Sequence, residues 1–212
     1  MQPKREYYIT KYYTTEYTKI YGNIFNNNEN YASHSYGEFR YRTVIDFING
    51  SPTKINNILD VGSGRGTVIK LIQKTFDDLD IHSCDLVNFH NIENIPFFTI
   101  DLSNKNTFVY NTVYDVISCL DVMEHLDKSF VEDVILYFSK ISKNTILTVA
   151  NHSDAINGVE LHTIQEDSSY WTPTIKKYFT IKQIEPRYIV YGDKPRLYIY
   201  WCESKITDDG QR

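Results

Sequence analysis

Four aspartates of this 212-residue chain each follow a short apolar segment and could act together at one binding site. They are Asp60, Asp85, Asp101 and Asp121, in the stretches "ILDVGSGRG", "CDL", "IDL" and "CLDVMEHL". Carboxylates accept hydrogen bonds from ribose hydroxyls or from an adenine amino group, and they attract cations. Four of them at one rim would repel a phosphate, so the pattern favours a phosphate-free nucleoside that carries positive charge.

A glycine-rich loop follows the first of these aspartates. Gly62, Gly64 and Gly66 alternate in "DVGSGRGT", and such loops bring the backbone close to a nucleotide-like ligand. The dinucleotide fingerprint would place its third glycine at position 67, where this chain has Thr67, and no Gly-Lys-Ser/Thr follows as a P-loop would require. We therefore expect the loop to hold an adenosine without phosphates.

Two histidines are candidates for chemistry at the same rim. His125 follows the fourth predicted strand and His162 follows the fifth. Either could remove a proton from an acceptor hydroxyl; alternatively, His125 shapes the site and His162 is an ordinary loop residue. Glu124 and Glu160 are further options for the base. The histidines and cysteines show no zinc-ligand spacing, so the sequence predicts no metal site.

Short apolar segments that alternate with helical segments must position these residues. Five predicted strands lie at residues 57–61, 80–85, 96–102, 114–121 and 144–150. Their alternation with helices predicts a parallel sheet, whose carboxyl ends meet at one ligand-binding edge. A helix capped by Ser129 is predicted between the last two of these strands, and a shorter helix interrupted near Pro173 comes later. Two final strands around "GDKP" predict an antiparallel hairpin.

The motifs "ILDVGSGRG", "CDL", "IDL" and "YDVISCLDVMEHL" together resemble those of class I S-adenosylmethionine-dependent methyltransferases, over roughly residues 36–203. The resemblance implies an α/β, Rossmann-like fold with a mostly parallel seven-stranded sheet and a C-terminal antiparallel hairpin. It implies S-adenosyl-L-methionine as the cofactor, with Asp85 on the ribose, Asp101 at the adenine edge and Asp121 beside the methionine group. The cofactor-binding residues that it implies are Asp60, Gly62, Ser63, Gly64, Gly66, Asp85, Leu86, Asp101, Leu102, Leu120 and Asp121.

The methyl acceptor is constrained mainly by what the sequence lacks. No "DPPY" or "NPPY" follows the fourth strand and no Pro-Cys nucleophile is present, which argues against the usual methylation of nucleobases. The net charge of −5 and the lack of a basic patch disfavour a nucleic-acid partner. The leading prediction is methylation of an oxygen or nitrogen of a small polar molecule, such as a saccharide or nucleotide sugar. The alternatives are an RNA or protein methyltransferase, or a non-catalytic S-adenosylmethionine-binding subunit that serves a partner.

Three segments are predicted: an aromatic-rich N-terminal helix or lid at 1–34, the methyltransferase domain at 35–205 and a tail at 206–212. Tyr13, Tyr17 and Tyr21 fall on one helical face, which either packs on the core or closes over a ligand. No run of about 18 apolar residues occurs, so no membrane span is expected. Three widely separated cysteines favour a cytoplasmic location. The sequence leaves the oligomeric state open.

Overall fold

The computed structural model describes residues 18–23, 34–109, 111–156, 158–188 and 194–206. The helices are α1 (residues 18–23), α2 (His34–Gly50), α3 (Thr67–Gln73), α4 (Lys128–Ile141) and α5 (Ser168–Tyr178). The strands are β1 (Asn57–Val61), β2 (Asp80–Asp85), β3 (Phe97–Thr99), β4 (Tyr114–Leu120), β5 (Ser142–Ala150), β6 (Ala155–Ile156), β7 (Val159–Glu160), β8 (Phe179–Tyr188) and β9 (Pro195–Ser204). Short 3-10 helices occupy Lys105–Thr107 and Met123–His125.

Seven strands form one sheet in the order β3-β2-β1-β4-β5-β9-β8. The neighbours among β1 to β5 pair in parallel, whereas β9 runs antiparallel to both β5 and β8. The predicted mostly parallel seven-stranded sheet with a C-terminal antiparallel hairpin is therefore confirmed. The chain passes from β1 to β2 on one side and later to β4 on the other, so a crevice opens at the carboxyl ends of β1 and β4.

Helices cover both faces of the sheet and bury its apolar side chains. Val44 of α2 and Ile69 of α3 pack on one face, and Ile135 of α4 and Trp171 of α5 pack on the other. All seven residues of β4 are buried, as expected for a central strand with helices on both sides. The core therefore fixes the carboxyl ends of the central strands, from which the site is built.

Three local predictions are wrong at the ends or in the middle of elements. The α4 cap is Asp127 rather than Ser129, because the Asp127 carboxylate accepts a hydrogen bond from the Ser129 backbone N–H at 2.9 Å. β3 has only three residues, so Asp101 lies beyond it in a turn. α5 continues through Pro173, which is flanked by the buried Trp171 and Ile175 that anchor the helix on the core.

Candidate active site

A cleft opens at the carboxyl ends of the central strands and encloses about 640 Å³, including the space at its open mouth. The residues that line it are Val61, Gly62, Cys84, Asp85, Leu86, Ile100, Asp101, Leu102, Ser103, Val122, His125, Leu126, Asp127 and Phe130. Most of this wall is apolar, and its polar side chains are three carboxylates, one hydroxyl, one thiol and one imidazole. A largely apolar cleft with a few polar groups is typical of small-molecule sites.

The glycine loop between β1 and α3 adopts a backbone that requires glycine. Gly62, Gly64 and Gly66 have φ angles of 71°, 50° and 68°, in the left-handed region. A Cβ atom on Gly62 would lie 2.3 Å from Cγ2 of Val122, so the loop packs directly against the connection that follows β4. The Ser63 hydroxyl is buried and has no hydrogen-bond partner among the described residues. Since buried polar atoms are normally satisfied, this hydroxyl suits a polar group of a ligand in the loop.

Asp85 joins the glycine loop to the end of β2. One carboxylate oxygen accepts a hydrogen bond from the Gly64 N–H at 2.9 Å, and the other accepts one from the Leu86 N–H at 2.6 Å. Burial raises the pKa of Asp85 above its ordinary value, although these backbone hydrogen bonds act in the opposite direction. A carboxylate offers about four lone-pair sites, and a further backbone hydrogen bond comes from Val87, so at least one site remains for a ligand hydroxyl in the cleft.

Asp101 lines the cleft from the turn after β3. It accepts hydrogen bonds from the backbone N–H and the hydroxyl of Ser103, at 2.9 and 2.6 Å. These bonds define a turn, and they hold the carboxylate of Asp101 and the side chain of Leu102 in the cleft wall. A role in the turn and a role at the edge of a ligand are therefore compatible for this residue.

The other two predicted carboxylates hold strand ends together and do not line the cleft. Asp60 is 4% exposed and accepts a hydrogen bond from the Ser118 hydroxyl of β4 at 2.7 Å. Asp121 has a φ of 54°, and it accepts a hydrogen bond from the Thr148 hydroxyl of β5 at 2.7 Å. The four aspartates therefore do not form one acidic rim: two face the cleft, and two orient the strands beneath it.

The predicted cofactor residues fall into two groups. Those that line the cleft are Gly62, Asp85, Leu86, Asp101 and Leu102. Those that lie outside its lining are Asp60, Ser63, Gly64, Gly66, Leu120 and Asp121. Sequence reasoning missed Val122, Leu126, Asp127 and Phe130, which contribute to the wall from β4 to α4. The sequence "DVMEHLDKSF" did indicate part of this wall, because Val122 and Leu126 are apolar residues in the connection from β4 to α4, where polar residues are expected.

His125 is the predicted catalytic histidine that lines the cleft. Its Nδ1 lies 2.9 Å from the Leu161 carbonyl oxygen, which can only accept, so Nδ1 carries the hydrogen. In the neutral ring Nε2 is then an acceptor. The Tyr21 hydroxyl lies 3.3 Å from the same Nδ1, and the Tyr21 side chain is 6% exposed. The described part of the tyrosine-rich segment thus packs beside His125, whereas Tyr13 and Tyr17 lie outside the described residues.

His162 is buried directly behind His125 and does not line the cleft. The two rings meet edge to face, with their centroids 4.7 Å apart. Its Nδ1 donates to the His152 carbonyl oxygen at 2.6 Å. Glu160, a further candidate base, accepts hydrogen bonds from the Ser153 hydroxyl and from the Asp154 and His162 backbone N–H groups, which lower its pKa to about 2. A carboxylate with so low a pKa is a poor base near neutral pH.

Comparisons with known proteins agree with this architecture. A family model described as a methyltransferase domain matches residues 34–165, which is more than half of the chain. No curated protein matches the sequence. Within the described residues, no helix combines the length and apolarity needed to cross a membrane.

Three solved structures illustrate the similarity of fold. An S-adenosylmethionine-dependent methyltransferase from Clostridium acetobutylicum has a TM-score of 0.65 and 12% identity, over 90% of this chain and 98% of that chain. A protein from Pyrococcus horikoshii has a TM-score of 0.63 and 13% identity, over 90% and 99%. The N-methyltransferase NodS from Bradyrhizobium japonicum, solved with S-adenosyl-L-homocysteine, has a TM-score of 0.58 and 10% identity, over 80% and 87%. The family match makes the chain a member of the methyltransferase domain family, with S-adenosylmethionine as its cofactor, and the solved structures show that it has the class I methyltransferase fold.

Proposed function

We propose that this enzyme transfers a methyl group to an oxygen or nitrogen of a small polar acceptor, with a saccharide or the sugar of a nucleotide sugar as the first candidates. The observation that carries the proposal is the course of the cleft. It runs from Asp85 at the end of β2 and Asp101 after β3 to His125 in the connection after β4. One end therefore suits the nucleoside of the cofactor, and the other end offers an imidazole to an acceptor.

The cofactor end matches an adenosine by its chemistry. Bound S-adenosylmethionine supplies an electrophilic methyl group on a sulfonium. Asp85 keeps at least one carboxylate lone pair for a ribose hydroxyl, and Leu86 and Leu102 give apolar surface for the adenine. Asp101 lies beside that surface and can accept a hydrogen bond from an exocyclic amino group. The buried Ser63 hydroxyl can pair with a polar group of the methionine part.

The acceptor end is built around His125. Because Nδ1 is held by the Leu161 carbonyl, Nε2 can accept a hydrogen bond from an acceptor group, either directly or through a bound ion. The buried His162 packs against the ring and restrains its orientation. His125 thus contacts the acceptor in this proposal, and His162 acts through His125.

The charge of the cleft narrows the acceptor class. Asp85, Asp101 and Asp127 all line it, and the chain carries a net charge of −5. A polyanion would be repelled, so of the two candidates an uncharged saccharide is favoured over a nucleotide sugar, whose diphosphate is anionic, and both are favoured over nucleic acid. A cytoplasmic location is part of the same proposal, supported by three buried cysteines that form no disulfide.

The test is incorporation of a labelled methyl group from S-adenosylmethionine into fractionated metabolite pools, read by mass spectrometry. With the acceptor identified, His125→Asn should lower turnover by ~10²-fold or more, because the asparagine amide replaces the Nδ1 donor but has no equivalent of Nε2. Binding of S-adenosylhomocysteine should remain within about twofold of the wild-type value. His82→Asn is the matched control, because His82 lies on β2 and hydrogen-bonds Tyr114 away from the cleft lining.

Two outcomes would contradict the proposal. Cofactor binding without labelled product from any pool would favour the non-catalytic subunit. Equal loss of turnover in His125→Asn and His82→Asn would mean that the histidine at the cleft has no special part in the reaction.

A further inference from the structure

We propose that Glu124, His125 and His162 bind one divalent ion of a first-row transition metal at the acceptor end of the cleft. Each side chain offers one ligand atom, and these atoms lie within 4.8 Å of one another. Glu124 and His162 are buried, at 0% and 6% exposure, while His125 lines the cleft. An ion held by these three groups would therefore have its open coordination positions on the cleft side.

The backbone joins the two segments that carry the ligands. The Ile164 N–H donates to the Glu124 carbonyl oxygen at 3.0 Å, and the Thr163 hydroxyl donates to the same oxygen at 3.1 Å. His125 Nδ1 donates to the Leu161 carbonyl oxygen, on the other side of His162. The segment 161–164 is thus fixed on the 3-10 helix that carries Glu124 and His125, so the backbone holds the three residues side by side before any ion binds.

Both imidazoles are in the tautomer that a metal requires. His125 Nδ1 donates to Leu161 at 2.9 Å and His162 Nδ1 donates to His152 at 2.6 Å, and both acceptors are carbonyl oxygens. With Nδ1 in these hydrogen bonds, each ring presents Nε2 as its ligand atom, and the Nε2 of His162 also lies 4.0 Å from a carboxylate oxygen of Asp154. Histidines that bind metals usually donate their other ring nitrogen to a carbonyl or carboxylate, which fixes the ring and raises its basicity. Two adjacent histidines that share this arrangement form a matched pair of ligands.

The Glu124 carboxylate completes the donor set. Its Oε1 accepts a hydrogen bond from the Ala150 N–H at the end of β5, at 2.9 Å, which holds the side chain in the cluster. Buried carboxylates in proteins are paired with cations or coordinate metals. A fully buried glutamate beside two imidazoles thus provides both the negative charge and the oxygen ligand of a cation site.

The donor types select the kind of ion. Two imidazoles and one carboxylate suit Zn²⁺, Fe²⁺, Co²⁺ or Mn²⁺, whereas Mg²⁺ and Ca²⁺ prefer all-oxygen sites. Bonds of about 2.1 Å in a tetrahedral site place the ligands about 3.4 Å apart. The ligand atoms, which lie within 4.8 Å of one another, would have to approach each other by up to about 1.4 Å when the ion binds. Three protein ligands with a fourth position open are characteristic of catalytic rather than structural sites.

The role of the ion, unlike the site itself, rests on the methyl-transfer function proposed above. An acceptor hydroxyl bound at the open position would have its pKa lowered and would lose its proton to water. Its oxygen would then form the bond to the methyl carbon as the carbon–sulfur bond breaks, with that electron pair remaining on sulfur. The inference therefore favours hydroxyl acceptors over amines, and among sugars those with a second oxygen beside the reacting hydroxyl.

Metal binding is tested on the full chain without cofactor or acceptor. Chelator-treated protein is titrated with Zn²⁺, Mn²⁺ or Co²⁺ by calorimetry, and the visible spectrum of bound Co²⁺ gives its coordination number. One ion per chain is expected. Glu124→Gln and His162→Asn should each weaken binding by ~100-fold or more, since each removes a direct ligand. Both can fold: the glutamine oxygen can still accept from Ala150, and the asparagine amide can still donate to His152. His82→Asn is again the control and should bind the ion as the wild type does.

The outcomes separate this inference from the proposed function. No binding of any of the three ions, or binding that Glu124→Gln and His162→Asn leave unchanged, would overturn the metal site. Methylation at an undiminished rate in excess chelator would overturn it as well, while leaving the methyl-transfer function intact. Stoichiometric binding that depends on both Glu124 and His162 would support the metal site even if no acceptor were methylated. The absence of methylation would then count against the proposed function alone.

Discussion

Asp85→Asn separates the binding of the cofactor from the stability of the fold. The substitution keeps the size of the side chain and removes its negative charge. The carboxylate now accepts from backbone donors, the N–H groups of Gly64 and Leu86, and a further backbone hydrogen bond comes from Val87. An amide has one oxygen, so its NH₂ group must face one of these donors and leave it without an acceptor. We therefore expect a looser glycine loop and a weaker hold on the ribose.

The two effects on stability oppose each other. Leaving a buried N–H without an acceptor costs about 1–3 kcal/mol. Burial already raises the pKa of Asp85, so removing the charge relieves part of a desolvation cost. The net change in unfolding free energy should therefore stay below about 2 kcal/mol. Cofactor affinity has no such compensation, and loss of charged hydrogen bonds to the ribose should cost about 1–3 kcal/mol, or roughly 5- to 150-fold in Kd.

The pH dependence supplies an independent readout with a definite sign. The carboxylate must be ionised to accept bonds from the ribose, so wild-type affinity should fall as the pH drops through the raised pKa of Asp85, earlier than for an exposed aspartate. A raised folded-state pKa contributes stability below the unfolded-state pKa and loses it as the pH rises through the folded-state value. The loss of affinity at low pH is therefore opposite in sign to this group's effect on folding. The Asp85→Asn variant should show no such pH-dependent loss.

Calorimetry with S-adenosylhomocysteine, beside urea denaturation at the same pH, measures both quantities. Asp80→Asn is the matched control: it makes the same change on the same strand, at an exposed position at the other end of β2. Its affinity should equal the wild-type value. If Asp85→Asn bound the ligand within about twofold of wild type, the carboxylate would not be the ribose ligand.

Two further substitutions, each with a control, test the glycine loop and the hydrogen bond that supports Asp121. Gly62→Ala should lower the unfolding free energy by ~2–4 kcal/mol and weaken cofactor binding, because a Cβ at this positive-φ position would lie 2.3 Å from the Val122 side chain. The control, Gly158→Ala, also has a positive φ, of 79°, but no atom lies within 4 Å of its Cβ position. Urea denaturation should show a cost of only ~1–2 kcal/mol for this control. Equal losses would refute the steric argument. Thr148→Val should lower turnover by loosening Asp121, whereas Thr145→Val, which removes an equally buried hydroxyl, should reduce stability alone by ~1–3 kcal/mol. Unchanged kinetics in both variants would mean that Asp121 needs no support from β5.

The sequence predicted the central strands well because their signal is local. β1 and β2 have the predicted bounds, and β4 differs from its prediction by one residue. Continuous apolar segments between helical stretches leave few alternatives for a buried parallel strand. The antiparallel last hairpin was predicted from the turn at "GDKP" and is also implied by the resemblance to methyltransferases. The strand order was not predicted, since periodicity does not encode which strands pair.

Element ends were predicted less well because local hydrogen bonds compete there. Asp127 and Ser129 are both good helix caps, and the earlier one prevails by accepting from the N–H of the later one. Asp101 similarly accepts from Ser103 and turns the chain just after β3. Two adequate polar residues a few positions apart therefore leave a boundary undecided from sequence.

The direction of each aspartate could not be read from the sequence, because its partner is distant along the chain. Asp60 faces Ser118, and Asp121 faces Thr148. These partners lie on adjacent strands, and only the sheet order brings them together. Asp60 lies within β1 and Asp85 ends β2, whereas Asp101 and Asp121 follow β3 and β4. The sequence therefore brings all four carboxylates to one edge of the sheet, but only the structure shows that Asp85 and Asp101 line the cleft.

The same topology explains why a search by ligand spacing found no metal site. Glu124 and His125 follow β4 and His162 follows β5, and these two strands are parallel neighbours whose carboxyl ends lie side by side. Side chains in the two connections can therefore meet whatever the length of chain between them, and here the hydrogen bond from Ile164 to Glu124 joins the connections directly. Donors after adjacent parallel strands should be counted as neighbours when such sequences are examined. By that criterion Glu124, His125 and His162 form one cluster. Titration of chelator-treated protein with divalent ions therefore tests both the metal site and the argument that connections after adjacent parallel strands bring ligands together.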